Sequence, residues 1–262
     1  DIEPSIDFSG RINSANKINI VSEVNGITLL SNYKFEVGES FKKGEVLLSI
    51  KDHDVALELK SVKSQFLSLL IQVLPDVKMD YPDLGNKLQS YINNFNLDKR
   101  IADLPLTSSS KQRNFLSSRQ ILSNYYSIKS LENRLDKFRI KAPFDGVVTK
   151  ALIDPGSNVM IGQPIGEFIS LQNYEINTTV SVQESGLISI GNEAVIKSDD
   201  MNSQIVGIVQ RIGSHINELT QSIDISISVD SEYIKDGMYV SGKIICDTIK
   251  NAYAIERSKI IN

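Results

Sequence analysis

The 262-residue chain has no tryptophan, one cysteine and two histidines. With Cys246 alone, no intramolecular disulfide can form. Its setting, Lys243-Ile244-Ile245-Cys246-Asp247, alternates like a strand, so the thiol reads as a small core residue. His53 and His215 lie far apart, and neither has a second His or Cys at zinc-ligand spacing, so both read as structural or surface residues. No apolar run approaches the roughly 20 residues that cross a bilayer as a helix. The net charge of -4, without clustered Lys or Arg, excludes the basic patch that displaces counterions from nucleic acid. A Gly-Lys-Ser/Thr phosphate loop, a G-x-S-x-G elbow and a G-x-G-x-x-G helix opening are all missing. Met79, Met160, Met201 and Met238 are scattered, which argues against a soft-metal site, and Asp199-Asp200 reads as a solvated turn. No catalytic, cofactor-binding or metal-binding residue is therefore expected. At 41% hydrophobic and 23% charged, the chain still has the composition of a folded protein.

What is present is an internal repeat. Val24-Asn25-Gly26-Ile27 is followed by Val37-Gly38-Glu39-Ser40-Phe41-Lys42-Lys43-Gly44-Glu45-Val46-Leu47. Phe144-Asp145-Gly146-Val147-Val148 is followed by Asp154-Pro155-Gly156-Ser157-Asn158-Val159-Met160-Ile161-Gly162-Gln163-Pro164-Ile165. The spacing Gly-x5-Gly recurs, from Gly38 to Gly44 and from Gly156 to Gly162, each time with an apolar residue three positions on, Leu47 and Ile165. Short β-branched runs between glycines read as strands, and the glycines supply positive-φ turns. Each copy is a small β-unit with one apolar face; two stacked units would bury it.

The pattern resembles the two halves of a lipoyl/biotinyl domain, most closely at Ile140-Lys141-Ala142-Pro143-Phe144-Asp145-Gly146-Val147-Val148. In such a carrier a tight hairpin with the modified lysine joins the halves. Here residues 51–139 separate them, and Val77-Lys78-Met79 lies between Pro75 and Pro82, where no hairpin tip could hold it. Inside the insert the period changes. Val55, Leu59, Val62, Phe66, Leu69 and Val73 alternate steps of four and three, and Ile121, Tyr125, Ile128, Leu131, Leu135 and Phe138 repeat the rhythm with one slip. Either a helical-domain core or an antiparallel hairpin fits these stripes; position between two halves of one β-domain favours the hairpin. Pro75, Pro82, Gly85 and Pro105 interrupt it. The expected helices are therefore 53–74, a middle segment 83–103, and a return 110–138 capped by Ser108, Ser109 or Ser110.

From Tyr174 onward, period-2 alternation marks strands: Ile176, Thr178, Val180 and Val182, then Ile223, Ile225, Ile227 and Val229. The architecture expected is mainly β with a helical insertion (α+β). Residues 1–17 form an N-terminal strand pairing with a barrel; 18–51 and 140–172 form the two lipoyl-like halves, and 52–139 the short hairpin. An antiparallel β-barrel spans 173–250, and 251–262 begin a membrane-proximal domain. Hinges are expected at 139–142 and 171–174.

A sandwich split by a helical hairpin and followed by strands such as Ile234-Lys235-Asp236-Gly237-Met238-Tyr239-Val240 resembles the periplasmic adaptors, or membrane fusion proteins, of tripartite efflux and secretion machines. The short insert is similar to that of a spirochaetal efflux adaptor. The resemblance implies a non-enzymatic protein in the periplasm, without cofactors. Its partners would be an inner-membrane transporter, with a proton-driven RND pump favoured by the modest insert, and a TolC-like outer-membrane channel. Self-association into a ring of three or six is implied as well. Channel contacts in the family follow an Arg, Leu, Ser pattern, for which Arg100, Leu104 and Ser110 are the nearest candidates. An adaptor of an ABC-type exporter or type I secretion system is the alternative, and a biotinyl/lipoyl carrier domain the second. The chain opens on Asp1 with neither methionine nor signal-peptide core, so a leader and an anchor ahead of it are expected.

Overall fold

The computed structural model describes residues 3–29, 35–105, 109–197, 204–230 and 234–248. Ser108, Asp199, Asp200, Met201 and the expected start of a membrane-proximal domain at 251–262 lie outside them. The two repeat copies fold into one sandwich. The first supplies β2 (Lys17–Val21), β3 (Gly26–Leu29), β4 (Ser40–Phe41) and β5 (Val46–Ile50). The second supplies β6 (Arg139–Lys141), β7 (Gly146–Ala151), β8 (Asn158–Val159) and β9 (Pro164–Ser170). One sheet runs β2-β9-β7-β4 and the other β6-β5-β3-β8, so each takes two strands from each copy. Exchanging the copies turns one order into the other, which is a pseudo-twofold.

The glycines of the repeat carry that symmetry in their hydrogen bonds. Gly38 donates to the Val148 carbonyl at 2.8 Å and Gly156 to that of Thr28 at 3.0 Å; Gly44 donates to Ala142 and Gly162 to Ser22, both at 2.8 Å. Each of these N–H groups thus reaches a carbonyl of the opposite copy. All four glycines have φ between 82° and 93°, where any Cβ is strained. Asp145 and Asn25 add the matching side-chain bonds, accepting from the N–H of Lys43 at 2.7 Å and of Ile161 at 2.8 Å. Gly26 and Gly146, which open β3 and β7, are needed for space instead. A Cβ on Gly146 would lie 2.1 Å from the Ile169 carbonyl oxygen, and one on Gly26 2.6 Å from the Ile50 side chain. Between the sheets Leu47, Ile50, Val148, Val159, Ile165 and Phe168 are buried.

Glu167 of β9 is a charge held on this sandwich rather than in water. It is buried, pairs with Lys17 at 2.9 Å and Lys150 at 3.1 Å, and accepts from the Thr149 hydroxyl at 2.8 Å. Burial pushes its carboxyl up, but the bonds from Lys17, Thr149 and Lys150 outweigh burial and hold it down at about 2.

The insert forms four helices: α1 (His53–Asp80), α2 (Pro82–Asn93), α3 (Ser110–Ser118) and α4 (Ile121–Asp136). Pro75 does not end α1, contrary to the expected stop at 74. Pro75 and Ile71 lie on the exposed side, so the carbonyl that loses its donor is open to water, while Val73 and Val77 stay packed inside. The middle helix stops at Asn93 rather than 103, and the return helix is broken at Gln120, which adopts φ 59°. Ser109 is the residue before α3, with no side-chain cap bond.

Six strands close a barrel in the order β1-β10-β13-β12-β11-β14: β1 (Ser5–Ser14), β10 (Tyr174–Ser181), β11 (Glu193–Lys197), β12 (Ile205–Asn217), β13 (Ser222–Val229) and β14 (Tyr239–Ile245). Between β10 and β11 a short helix, α5 (Val182–Ser185), starts with Ser181 and Glu184 exchanging a capping box. β1 pairs with both β10 and β14 and so seals the barrel. Ile12, Ile176, Ile196, Val209, Ile227 and Ile244 fill it, with Cys246 buried beside them. The expected hinges are firmer than their composition implied. Residues 139–141 are strand β6, paired with β5, and at the other crossing Ala15 donates to Asn173 and Ser170 to Asn16, both at 2.9 Å.

Gly146→Ala is expected to cost about 3 kcal/mol or more in denaturant unfolding, because the clash is with backbone. Gly38→Ala, with open space around it, should cost only about 1–2 kcal/mol of backbone strain. The Glu167 contribution is present above its ordinary value of 4.5 and is lost as pH falls from there toward about 2. Because both lysines are partly exposed, it should be about 1–2 kcal/mol. Unfolding measured across that window should lose stability in the native protein and change less in Glu167→Gln.

Candidate docking surfaces

The barrel and the helical insert leave the sandwich at opposite ends. β2 starts beside the barrel at Lys17 and ends at Val21, five residues before Gly26, which packs on Ile50 and Phe138 where the insert begins and ends. The insert is therefore an arm rooted at both of its termini. α1 alone, at 1.5 Å per residue, is about 42 Å long.

Ion pairs trace the path of the arm. α2 folds back along α1, and by Asp98 the chain has returned to Lys60, a contact of 2.7 Å. Residues 98–103 then form a strap across the root. Arg100 pairs with Asp136 at the end of α4, and Lys63 donates to the Lys99 carbonyl at 2.8 Å. Lys63 and Glu132 pair at 2.7 Å with side chains only 3% and 5% exposed, and Glu132 also accepts from the N–H of Ile101 at 2.8 Å. From there the chain runs outward again. Arg119, between α3 and α4, meets Asp76 at 3.0 Å and lies over the Phe115 ring, which packs edge-on to Tyr81. The distal end thus joins the α1–α2 and α3–α4 turns, with Met79 84% exposed.

The trio expected to contact the channel does not assemble there. Arg100 sits at the root, bound to Asp136; Leu104 is buried in the arm's core; Ser110 opens α3 on the surface. Lys78, the lysine of the carrier-like tripeptide, is in the last turn of α1 and donates to Gln89 at 2.9 Å. The six glycines Gly26, Gly38, Gly44, Gly146, Gly156 and Gly162 all occupy the sandwich turns and crossings described above. Lys63 and Glu132 were missed because the four-three rhythm selects Val62 and Leu131 instead; an untwisted 3.6-residue helix carries the buried stripe one position on.

The remote end of the barrel is the other candidate surface. β1 begins there at Ser5, opposite Ile245, and the β12–β13 turn closes there, Asn217 opposite Ser222. Leu219 at that turn is 96% exposed and Ile190 nearby 69%. Among the described residues there is no His/Cys/Asp/Glu group that could hold a metal, and no helix is long and apolar enough to cross a membrane.

A split sandwich with a helical arm at one end and a six-stranded barrel at the other is the architecture of the membrane fusion proteins, or periplasmic adaptors, and this chain has it. No family model matches it. Over 263 residues, 94% of this chain, it is 23% identical to the multidrug resistance protein MdtA of Escherichia coli strain SMS-3-5, of whose length it spans 59%. It superposes with TM-score 0.69 and 16% identity on a MacA–MexA chimeric protein containing the Pseudomonas aeruginosa MexA α-hairpin domain, covering 95% of this chain and 84% of that one. On MacA from Actinobacillus actinomycetemcomitans the TM-score is 0.64 at 17% identity, covering 94% and 79%. At these identities the superpositions establish the fold.

The buried pair at the root gives a direct test. Lys63→Met, which strands the Glu132 carboxylate, should cost about 3–5 kcal/mol, whereas Lys63→Met with Glu132→Leu should cost about 1–2 kcal/mol. Urea unfolding of both variants checks this; equal losses would contradict it.

Proposed function

We propose that this chain is the periplasmic adaptor of a tripartite efflux system. It would bridge an inner-membrane transporter of the RND type and a TolC-like outer-membrane channel for export of drugs or other small molecules. The observation that carries this reading is the polarity of the molecule: two unlike ends, one helical and one a barrel rimmed with exposed apolar residues, held apart by a rigid sandwich. In this reading the body would hold geometry rather than perform chemistry. The distal turns, with Met79, Asp80 and Arg119, would meet the channel. The remote barrel end, with Leu219 and Ile190, would face the transporter, and copies would stand side by side in a ring of three or six. The reading places the protein in the periplasm, tied to the inner membrane by a lipid or an N-terminal segment. The similarity to a multidrug resistance protein supports efflux as the process.

Replacing residues 56–136 by a short Gly-Ser linker should leave sandwich and barrel folded, as judged by cooperative unfolding, and abolish co-purification of the outer-membrane channel. Capture at the native level by the armless protein would sink the assignment.

A further inference from the structure

The repeat is symmetric in its backbone but not in the chemistry of its turns. Matching the two repeat copies by their glycines sets Met160 and Ile161 where Lys42 and Lys43 stand, and Asn25 where Asp145 stands. The hydrogen bonds correspond, Ile161 donating to the Asn25 side chain as Lys43 does to that of Asp145. All four turn residues face solvent, Met160 to 64% and Ile161 to 67%. The turn at the barrel end of the sandwich is thus charged, as an exposed turn ordinarily is. At the arm end the same positions are apolar, and the carboxylate beside them is an amide.

This apolar turn borders an open notch of about 620 Å³ between the sandwich and α4. Tyr126, Ser130, Arg134 and Lys137 follow at steps of three or four, so one face of α4 lines it over about 16 Å. Ile161 lies at its foot and Tyr126, 61% exposed, at its outer end. Two of its cations are already matched: Lys137 meets Glu23 at 2.7 Å and Lys129 meets Asp103 at 3.2 Å. Arg134 is left over. Neither it nor the adjacent Ser130 and Asn133 side chains have an ion pair or hydrogen bond among the described residues. One uncompensated guanidinium therefore stands between two apolar surfaces in an elongated groove.

We propose that the notch binds an elongated amphiphile with a single anionic group, such as a long-chain carboxylate. The guanidinium takes the two carboxylate oxygens, with the Asn133 amide and Ser130 hydroxyl as further donors. The apolar body lies along the groove against Ile161 and Tyr126. A cation of the same shape would meet Arg134 with like charge. The site stands on the notch alone and does not depend on the adaptor reading.

The test is titration calorimetry of the whole chain with sodium dodecanoate, kept below its micellar range. One saturable site is expected, with a dissociation constant of about 0.1 mM. Dodecyltrimethylammonium, the same chain with a cationic head, should bind about tenfold more weakly or not at all. Arg134→Gln should weaken dodecanoate about tenfold, the scale of a lost hydrogen bond to a charged group. Ile161→Ser should weaken it about threefold or more through lost apolar contact. Lys43→Ser, at the matching turn of the barrel end, should bind like the native protein. All three positions are exposed, so unchanged unfolding midpoints will show that the variants are folded. No saturable binding below about 1 mM, equal affinity for the cationic amphiphile, or undiminished binding in Arg134→Gln overturns the proposal. None of these results bears on the adaptor reading, which stands or falls with capture of the channel.

Discussion

The reciprocal backbone bonds between the two repeat copies are the constraint on which everything else depends. Gly38 and Gly44 donate into the second copy, Gly156 and Gly162 into the first, and neither copy can satisfy these carbonyls alone. Neither copy is a domain by itself, because its apolar face and part of its hydrogen bonding are completed by residues roughly 90 to 150 positions away. Closing so long an insert is tolerable, since the entropic cost of a loop grows only logarithmically with its length. In return the arm is fixed at two points rather than one.

The arm itself illustrates how proline shapes a helix without abolishing it. Pro82 begins α2 at a position where its missing N–H is harmless, and Gly85 lets α2 approach α1 so closely that a Cβ would sit 2.7 Å from Lys78. The result is a fold-back rather than a long rod. The strap then returns the chain to the root, where a buried Lys63–Glu132 pair, with each partner also bound to strap backbone, sets how the four segments stack. Such a pair adds specificity of arrangement more than stability.

Much of this was legible in the sequence, and what was not has definite causes. Gly-x5-Gly at equal spacing announced the sandwich because positive-φ turns leave few alternatives to glycine, and period-2 runs announced the barrel strands. The helical insert was visible in its seam, but its boundaries were not. By propensity Pro75 reads as a stop, but propensity ignores Val73 and Val77, whose packing carries α1 through. The break at Gln120 has no glycine or proline to mark it. Arg100, Leu104 and Ser110 follow from the family's Arg, Leu, Ser pattern, and a residue pattern carries no information about which end of a folded-back arm a loop visits.

β1 has a consequence for how the molecule is made. Its residues 5–14 are synthesised long before β14, one of their ladder partners. The barrel consequently cannot shut as the chain emerges; β1, alternately apolar, must wait with its β14 edge unpaired until that strand arrives. Folding of this domain is thus intrinsically late and non-local, and the waiting strand is the segment most in need of shelter from premature association.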